Sequence, residues 1–247
     1  MRTCKYAMML SLAAILVLSA CGDESDSSSS NGDSRATKAI GTMTDSRDGQ
    51  TYKTVKIGTQ TWMAENLNFK TDGSFCYNNE ESNCAKYGRL YTWAEAVGLV
   101  NLYDKDSGVY CGFDSACTSP NSVYGVCPLG WHLPTQAEWD TLFLAVGNVR
   151  IAGMVLKSSL GWNENGNGAD AFGFSALPAG SWLNDGFGNG GYFASFWSST
   201  GDDRSACGMY LFYDRDGADL DYYNKDNRFS VRCLKDDVEK EPITDMK

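Results

Sequence analysis

The chain has a single histidine, His132, among 247 residues. Cys2His2 zinc fingers, multi-histidine iron centres and paired-histidine zinc hydrolases each require at least two imidazoles, so all three are excluded. Positive charge is scarce too: 21 Lys and Arg against 31 Asp and Glu leave a formal net charge of −10. Phosphate recognition needs clustered cations, which removes nucleic acid from the partners to be considered. An acidic surface suits solubility, cations or neutral ligands such as sugars. The chain also lacks a Gly-x-Ser-x-Gly nucleophile elbow, so His132 has no evident hydroxyl to activate. Trp131, Leu133 and the helix that follows all need burial around it, and a structural or hydrogen-bonding role is expected for this imidazole.

Long apolar runs are missing except at the very start. Arg2 and Lys5 precede a stretch from Ala7 to Ala20 broken only by two serines, the pattern of an export signal and too short to span a bilayer. Leu18-Ser19-Ala20-Cys21 resembles a bacterial lipoprotein cleavage site, which implies a signal over 1–20 and a mature chain beginning at a lipidated Cys21. Loss of Arg2 and Lys5 moves the formal charge from −10 to −12. Each buried methylene contributes about 0.8 kcal/mol, so two or three acyl chains hold firmly where one is marginal. The serine- and acid-rich run over 21–47 lacks the apolar surface to offset chain ordering and reads as a disordered tether. Acids directly behind the anchor cysteine resemble export tags of surface lipoproteins. The expected location is therefore the outer membrane or cell surface, with the membrane as a partner through the lipid.

Export permits disulfides. Nine cysteines become seven once Cys4 leaves with the signal and Cys21 is acylated. Cys76 and Cys84 bracket a polar loop, and Cys111 and Cys117 bracket five residues, so each pair reads as a local staple. Of the remaining three, Cys127 with Cys233 is the chosen pair, joining the start of the compact core to its last strand. Cys207 is left odd, either a buried thiol or a reactive one.

One domain fits the span 48–235, followed by a charged tail over 236–247. TYKTVKIG and TWMAENL are strand candidates around a Gly-Thr-Gln turn, a hairpin. Three strand-like runs late in the chain, split at Asp214–Gly217 and Asn224–Asn227, predict an antiparallel meander. Thr92-Trp-Ala-Glu95 and Thr135-Gln-Ala-Glu138 are capping boxes, each starting a short helix. In the second helix Ala137, Leu142, Phe143 and Val146 are expected to share the buried face, with Gly147 as the stop.

Six motifs run in order along the domain: DGQTYKTVKIGTQTWMAENL from Asp48, YGRLYTWAEA from Tyr87, CPLGWHLPTQAEW from Cys127, FGFSALPAG from Phe172, FWSST from Phe196 and FSVRCLKD from Phe229. Together they resemble the Fibrobacter succinogenes major paralogous domain family. The resemblance implies an α+β fold: a compact C-type lectin-like domain, related to the formylglycine-generating-enzyme fold, with two short helices, twisted antiparallel strands, long irregular loops and disulfide staples. It implies no particular activity, so function has to be argued from the site. The motif residues Trp62, Asn66, Trp93, Trp131 and Trp197 are assigned to folding.

Three classes of function remain. The first is a non-catalytic module binding carbohydrate or another extracellular polymer, since flat rings cover sugar faces while amides and backbone groups bond hydroxyls. Trp182, Tyr192, Tyr210, Tyr213, Tyr222 and Tyr223 are the candidate rings, of which alternation along strands sends about half inward. The second is a structural or adhesive surface protein binding envelope proteins. The third is an oxidase like the formylglycine generator, but the histidine count is too low and Cys207 and Cys233 are too far apart to carry its copper-binding pair. No cofactor is expected. Calcium is the cation weighed for the oxygen-rich loop Asn163, Glu164, Asn165, Asn167 and Asp170, against the reading that Asn-Gly runs simply make turns.

Overall fold

The computed structural model describes residues 40–98 and 124–237. Cys21, the signal, the Cys111–Cys117 pair, most of the tether and most of the charged tail lie outside them.

Three early strands build one edge of the fold: β1 (Ile40–Thr44), β2 (Thr51–Ile57) and β3 (Gln60–Met63). In β2 Tyr52 and Thr54 are buried on one face and Val55 and Ile57 on the other, while Thr51, Lys53 and Lys56 are exposed, so the strand gives Tyr52 to one core cluster and Val55 and Ile57 to another. Gly58, at φ 59°, makes the turn into β3, and the expected hairpin forms with Val55 opposite Trp62. The boundary drawn at 48 is too late. β1 pairs antiparallel with β2 from Ile40 to Thr44, within what reads as tether, and its side chains stay mostly exposed because it is an edge strand.

The expected polar loop between Cys76 and Cys84 is instead a short turn of 3-10 helix at Tyr77–Asn79 and a helix, α1 (Glu81–Tyr87). β4 (Leu90–Tyr91) leads to α2 (Trp93–Ala96), and β5 (Trp131–His132) to α3 (Gln136–Ala145). Both capping boxes are formed: the Thr92 and Thr135 hydroxyls accept from the N–H of Glu95 and Glu138, whose carboxylates reach back to the cap N–H groups. α3 buries Trp139, Leu142 and Phe143, and Val146 is buried just beyond its end, but Ala137 is exposed; the buried face is centred on Trp139. A further helix, α4 (Val149–Leu156), follows at once, capped by Asn148 alone. Gly153 lets it press against the 216–217 turn, where a Cβ would lie 2.4 Å from the Gly217 carbonyl oxygen.

The remaining strands are β6 (Ser181–Leu183), β7 (Gly186–Gly188), β8 (Phe193–Gly201), β9 (Ser205–Phe212), β10 (Ala218–Asn224), β11 (Phe229–Ser230) and β12 (Leu234–Lys235). The expected meander is formed only in part: β9 and β10, its first two runs, pair antiparallel, and β8, which is not among the expected runs, pairs with the other edge of β9. The last run departs from it. β11 crosses back to lie parallel to β8, completing a sheet in the order β10-β9-β8-β11-β4, whereas β12 enters the other sheet, β1-β2-β3-β12-β5. Val231, Arg232 and Cys233, all buried, bridge the two sheets. One core cluster gathers Trp93, Trp131, Trp197 and Phe229, and a second places Trp62, Trp139, Phe174 and Phe196 under α3 and α4.

Candidate binding face

The motif residues stitch the frame. Arg232 is fully buried, and its Nε and Nη2 donate to Asn66 Oδ1 at 3.1 and 2.6 Å, while Nη1 donates to the Met63 and Phe174 carbonyls. Asn66 in turn donates to the Tyr87 carbonyl at 2.8 Å. Burial pushes the Arg232 pKa down to about 9, so the group remains a cation at neutral pH. Trp93 Nε1 donates to the Ser198 carbonyl at 2.9 Å and Trp197 Nε1 to the Tyr91 carbonyl at 2.8 Å, and Trp62 stacks on Trp139 with ring centroids 4.6 Å apart. These groups are sealed from solvent, and their polar atoms are engaged except for the Trp139 indole N–H, which has no hydrogen-bond partner.

His132 is held at both nitrogens. Nδ1 lies 2.6 Å from Asp236 Oδ1 and Nε2 3.0 Å from Glu138 Oε1, so one ring clasps the first turn of α3 to the residue following β12. Burial disfavours the imidazolium, but the two carboxylate hydrogen bonds outweigh it and raise the pKa above 6.5. Glu138 is shifted the other way: burial raises it, and the bonds to His132 and Thr135 lower it, for a net fall below 4.5. A raised histidine contributes its full stability below pH 6.5 and loses it as pH rises through the folded pKa. A depressed carboxylate contributes above pH 4.5 and loses stability as pH falls through its own folded pKa. The clasp is thus strongest in mildly acidic solution. With one histidine in the chain, a proton NMR titration should show one imidazole with a midpoint above 6.5, and Asp236→Asn should lower it; a midpoint at or below 6.5 would contradict the doubly bonded imidazolium.

The half-exposed rings collect around the β6–β7 hairpin. Its two-residue turn, Asn184-Asp185, has φ of 49° and 66°, the positive pair such tight turns require. Trp182 is directly opposite Phe187 across the hairpin and opposite Arg228 on the other side, giving a row of three neighbours on adjacent strands. The Arg228 guanidinium lies 4.1 Å from the Trp182 ring centroid and 4.4 Å from that of Phe75. Tyr77 meets Phe187 edge to face at 5.5 Å. Exposed Asn78, Asn79, Asn184 and Asp185 border these rings. Of this group only Trp182 is found from sequence. Phe75 and Tyr77 flank a disulfide cysteine, and Phe187 sits between two glycines; both are signals of rings held on turns.

The other candidates are distributed differently. Tyr192 and Tyr213 meet edge to face at 5.2 Å beyond the ends of β8 and β9. Tyr213 is fixed from beneath by Lys157, whose Nζ donates to the carbonyls of Phe212, Tyr213 and Arg215 at 2.9, 3.3 and 3.0 Å. Tyr210 is a correction: it is 4% exposed, packed against Tyr223 at 4.6 Å and Phe229 at 5.5 Å, because its position in β9 points into the first core cluster. Tyr223 leans on that cluster, and half-buried Tyr222 reaches Gln136 Oε1 at 3.4 Å, so neither joins the hairpin rings. Cys207 is buried in β9 as a thiol.

The oxygen-rich loop lies beside Tyr213, where Gly166 packs against the Tyr213 backbone. Asn167 Oδ1 accepts from the Trp162 N–H at 3.0 Å, and the Asp170 carboxylate accepts from the Ser175 N–H and hydroxyl at 2.9 and 2.7 Å. Glu164, Asn165 and Asp170 have φ of 50°, 61° and 44°, so these residues do the work of turns, while Asn163, Glu164 and Asn165 remain exposed. Elsewhere, a cavity of about 370 Å³ is lined by Arg47, Phe69, Thr71, Asp72 and Glu95, and of its two acids Glu95 is committed, its carboxylate accepting from Thr71 and from the Thr92 cap.

Disulfides Cys76–Cys84 and Cys127–Cys233 are both formed, the first holding Phe75 and Tyr77 in place and the second closing the frame. No curated protein and no solved structure matches the chain. The family model described as the Fibrobacter succinogenes major domain matches residues 55–235, from within β2 to the end of β12, and the chain belongs to that family.

Proposed function

We propose that the domain is a non-catalytic binding module that presents its hairpin rings to carbohydrate, carried at the outer membrane or cell surface by lipid on Cys21. The observation that carries this reading is the juxtaposition of half-exposed Trp182, Phe187 and Tyr77 bordered by exposed amides, a surface of ring faces and hydrogen-bonding groups that suits sugars. A C-type lectin-like relationship for the α+β fold is consistent with it, as is the engagement of His132 at both nitrogens by carboxylates, which leaves that imidazole no lone pair to act as a base.

A glycan array probed with the intact protein tests the reading. Trp182→Ala should weaken binding about tenfold or more, from the roughly 1.5–3 kcal/mol associated with one large ring. EDTA should leave binding unchanged, since Asn167 and Asp170 already hold their own turns. Blank arrays, or a folded Trp182→Ala protein that binds as well as its parent, would reject the proposal.

A further inference from the structure

Two groups of rings meet at one pair of glycines. Gly190 runs beneath Tyr77: its N–H donates to the Tyr77 hydroxyl at 3.2 Å, and a Cβ there would lie 2.6 Å from the ring. The next residue, Gly191 at φ 84°, lies against Asn163, where a Cβ would come within 2.5 Å of the amide nitrogen. The Asn163 N–H also donates to the Gly191 carbonyl at 2.8 Å. Tyr192 follows, with its carbonyl accepting from the Tyr213 N–H at 2.9 Å and its ring against that of Tyr213. Gly190 and Tyr192 are two residues apart, at most roughly 7 Å of chain. Gly191 is buried, so the surface between the hairpin rings and the tyrosine pair consists of the Tyr77 ring over Gly190 and the exposed Asn163 side chain against Gly191.

The cations beside this surface are already engaged, Arg228 against the Trp182 and Phe75 rings, Lys157 on three carbonyls and Arg215 with Asp219, whereas several carboxylates stand exposed. Asp214 and Glu164, in that order, raise the phenol pKa of half-exposed Tyr213, and Asp185 stands exposed at the hairpin tip. An anionic polymer lying across both ring groups would meet these carboxylates, whereas an uncharged one would meet hydrogen-bond acceptors.

We infer that the hairpin rings and the Tyr192–Tyr213 pair form one strip that takes an extended, uncharged glycan several sugars long. This rests on the binding-module reading and adds to it ligand length and charge. The short ligand is held at Trp182, Phe187 and Tyr77, and each further sugar reaches across the Asn163 amide toward Tyr213.

Calorimetry on the full-length protein tests it with malto-, cello-, xylo- and manno-oligosaccharides from disaccharide to octasaccharide, and with oligogalacturonides of the same lengths as charged counterparts. In at least one neutral series affinity should rise with length and then level. Tyr213→Ala, and independently Tyr192→Ala, should remove about tenfold of that rise, the equivalent of one ring contact, while leaving disaccharide affinity unchanged. Trp182→Ala should weaken every length. Oligogalacturonides should bind more weakly than neutral oligomers. A disaccharide that binds as tightly as an octasaccharide overturns the strip and leaves the hairpin platform standing. Equal affinity for oligogalacturonides overturns the assignment of an uncharged ligand. Absence of binding to any neutral oligomer overturns the strip together with the reading beneath it.

Discussion

Asn66→Ala is expected to lower the free energy of unfolding by about 3–5 kcal/mol, the range found when a buried charge loses one partner. Asn66 Oδ1 is the acceptor for two guanidinium nitrogens of Arg232, a side chain with no solvent access and only carbonyl oxygens for its other bonds. Removing the amide therefore leaves a cation at neutral pH facing an apolar methyl, and the Tyr87 carbonyl also loses a donor. Arg232→Met is expected to cost less, because it orphans neutral acceptors at Asn66, Met63 and Phe174 instead of a charge. The double variant should cost less than the sum of the two singles by about 0.5–3 kcal/mol, since the second change removes the cation that the first exposes. Urea denaturation of all four proteins gives this coupling directly. Strict additivity would mean that the two side chains do not stabilise the fold as a pair.

What could be read from sequence divides along the distance over which the signal acts. The capping boxes at Thr92 and Thr135 are four-residue patterns whose bonds close locally, and both are formed. The β2–β3 hairpin and the β9–β10 pair are legible for the same reason. α1 is not, because Glu81–Tyr87 has only Cys84 buried and therefore shows no apolar stripe. β1 is not, because an edge strand with exposed side chains resembles a tether until its partner is known. Alternation would send about half of β9 inward, but this central strand is buried on both faces, with Tyr210 in one core cluster and Met209 and Leu211 in the other. The assembled face is harder still. Trp182 is visible as an aromatic near a turn, but Tyr77 and Phe187 come from distant parts of the chain and meet only after the Cys76–Cys84 staple and the hairpin have formed. The second carboxylate on His132, Asp236, belongs to a tail that reads as mere solvated charge.

Both staples can be compared for how much each constrains the unfolded chain. Cys127 and Cys233 are 106 residues apart, against 8 for Cys76 and Cys84. In the chain-entropy account the longer loop contributes about 4.7 kcal/mol and the shorter about 2.5 kcal/mol. Replacing Cys127 and Cys233 together by serine is therefore expected to remove about 4–5 kcal/mol, a large part of the stability of an ordinary domain. Replacing Cys76 and Cys84 together should cost roughly half as much. The consequences for binding should run in the opposite order. The long staple joins the segment before β5 to β12, in the frame and away from the hairpin rings, so a variant lacking it should retain glycan affinity wherever it is folded. The short staple fixes the turn between Phe75 and Tyr77, and its loss should weaken binding even at temperatures where the protein remains folded. Thermal unfolding and array binding of the two serine pairs, measured side by side, separate these effects. If the Cys76/Cys84 pair proved the more destabilising, or if its folded form bound as well as the parent, the division between a cross-linked frame and a positioned ring surface would be wrong.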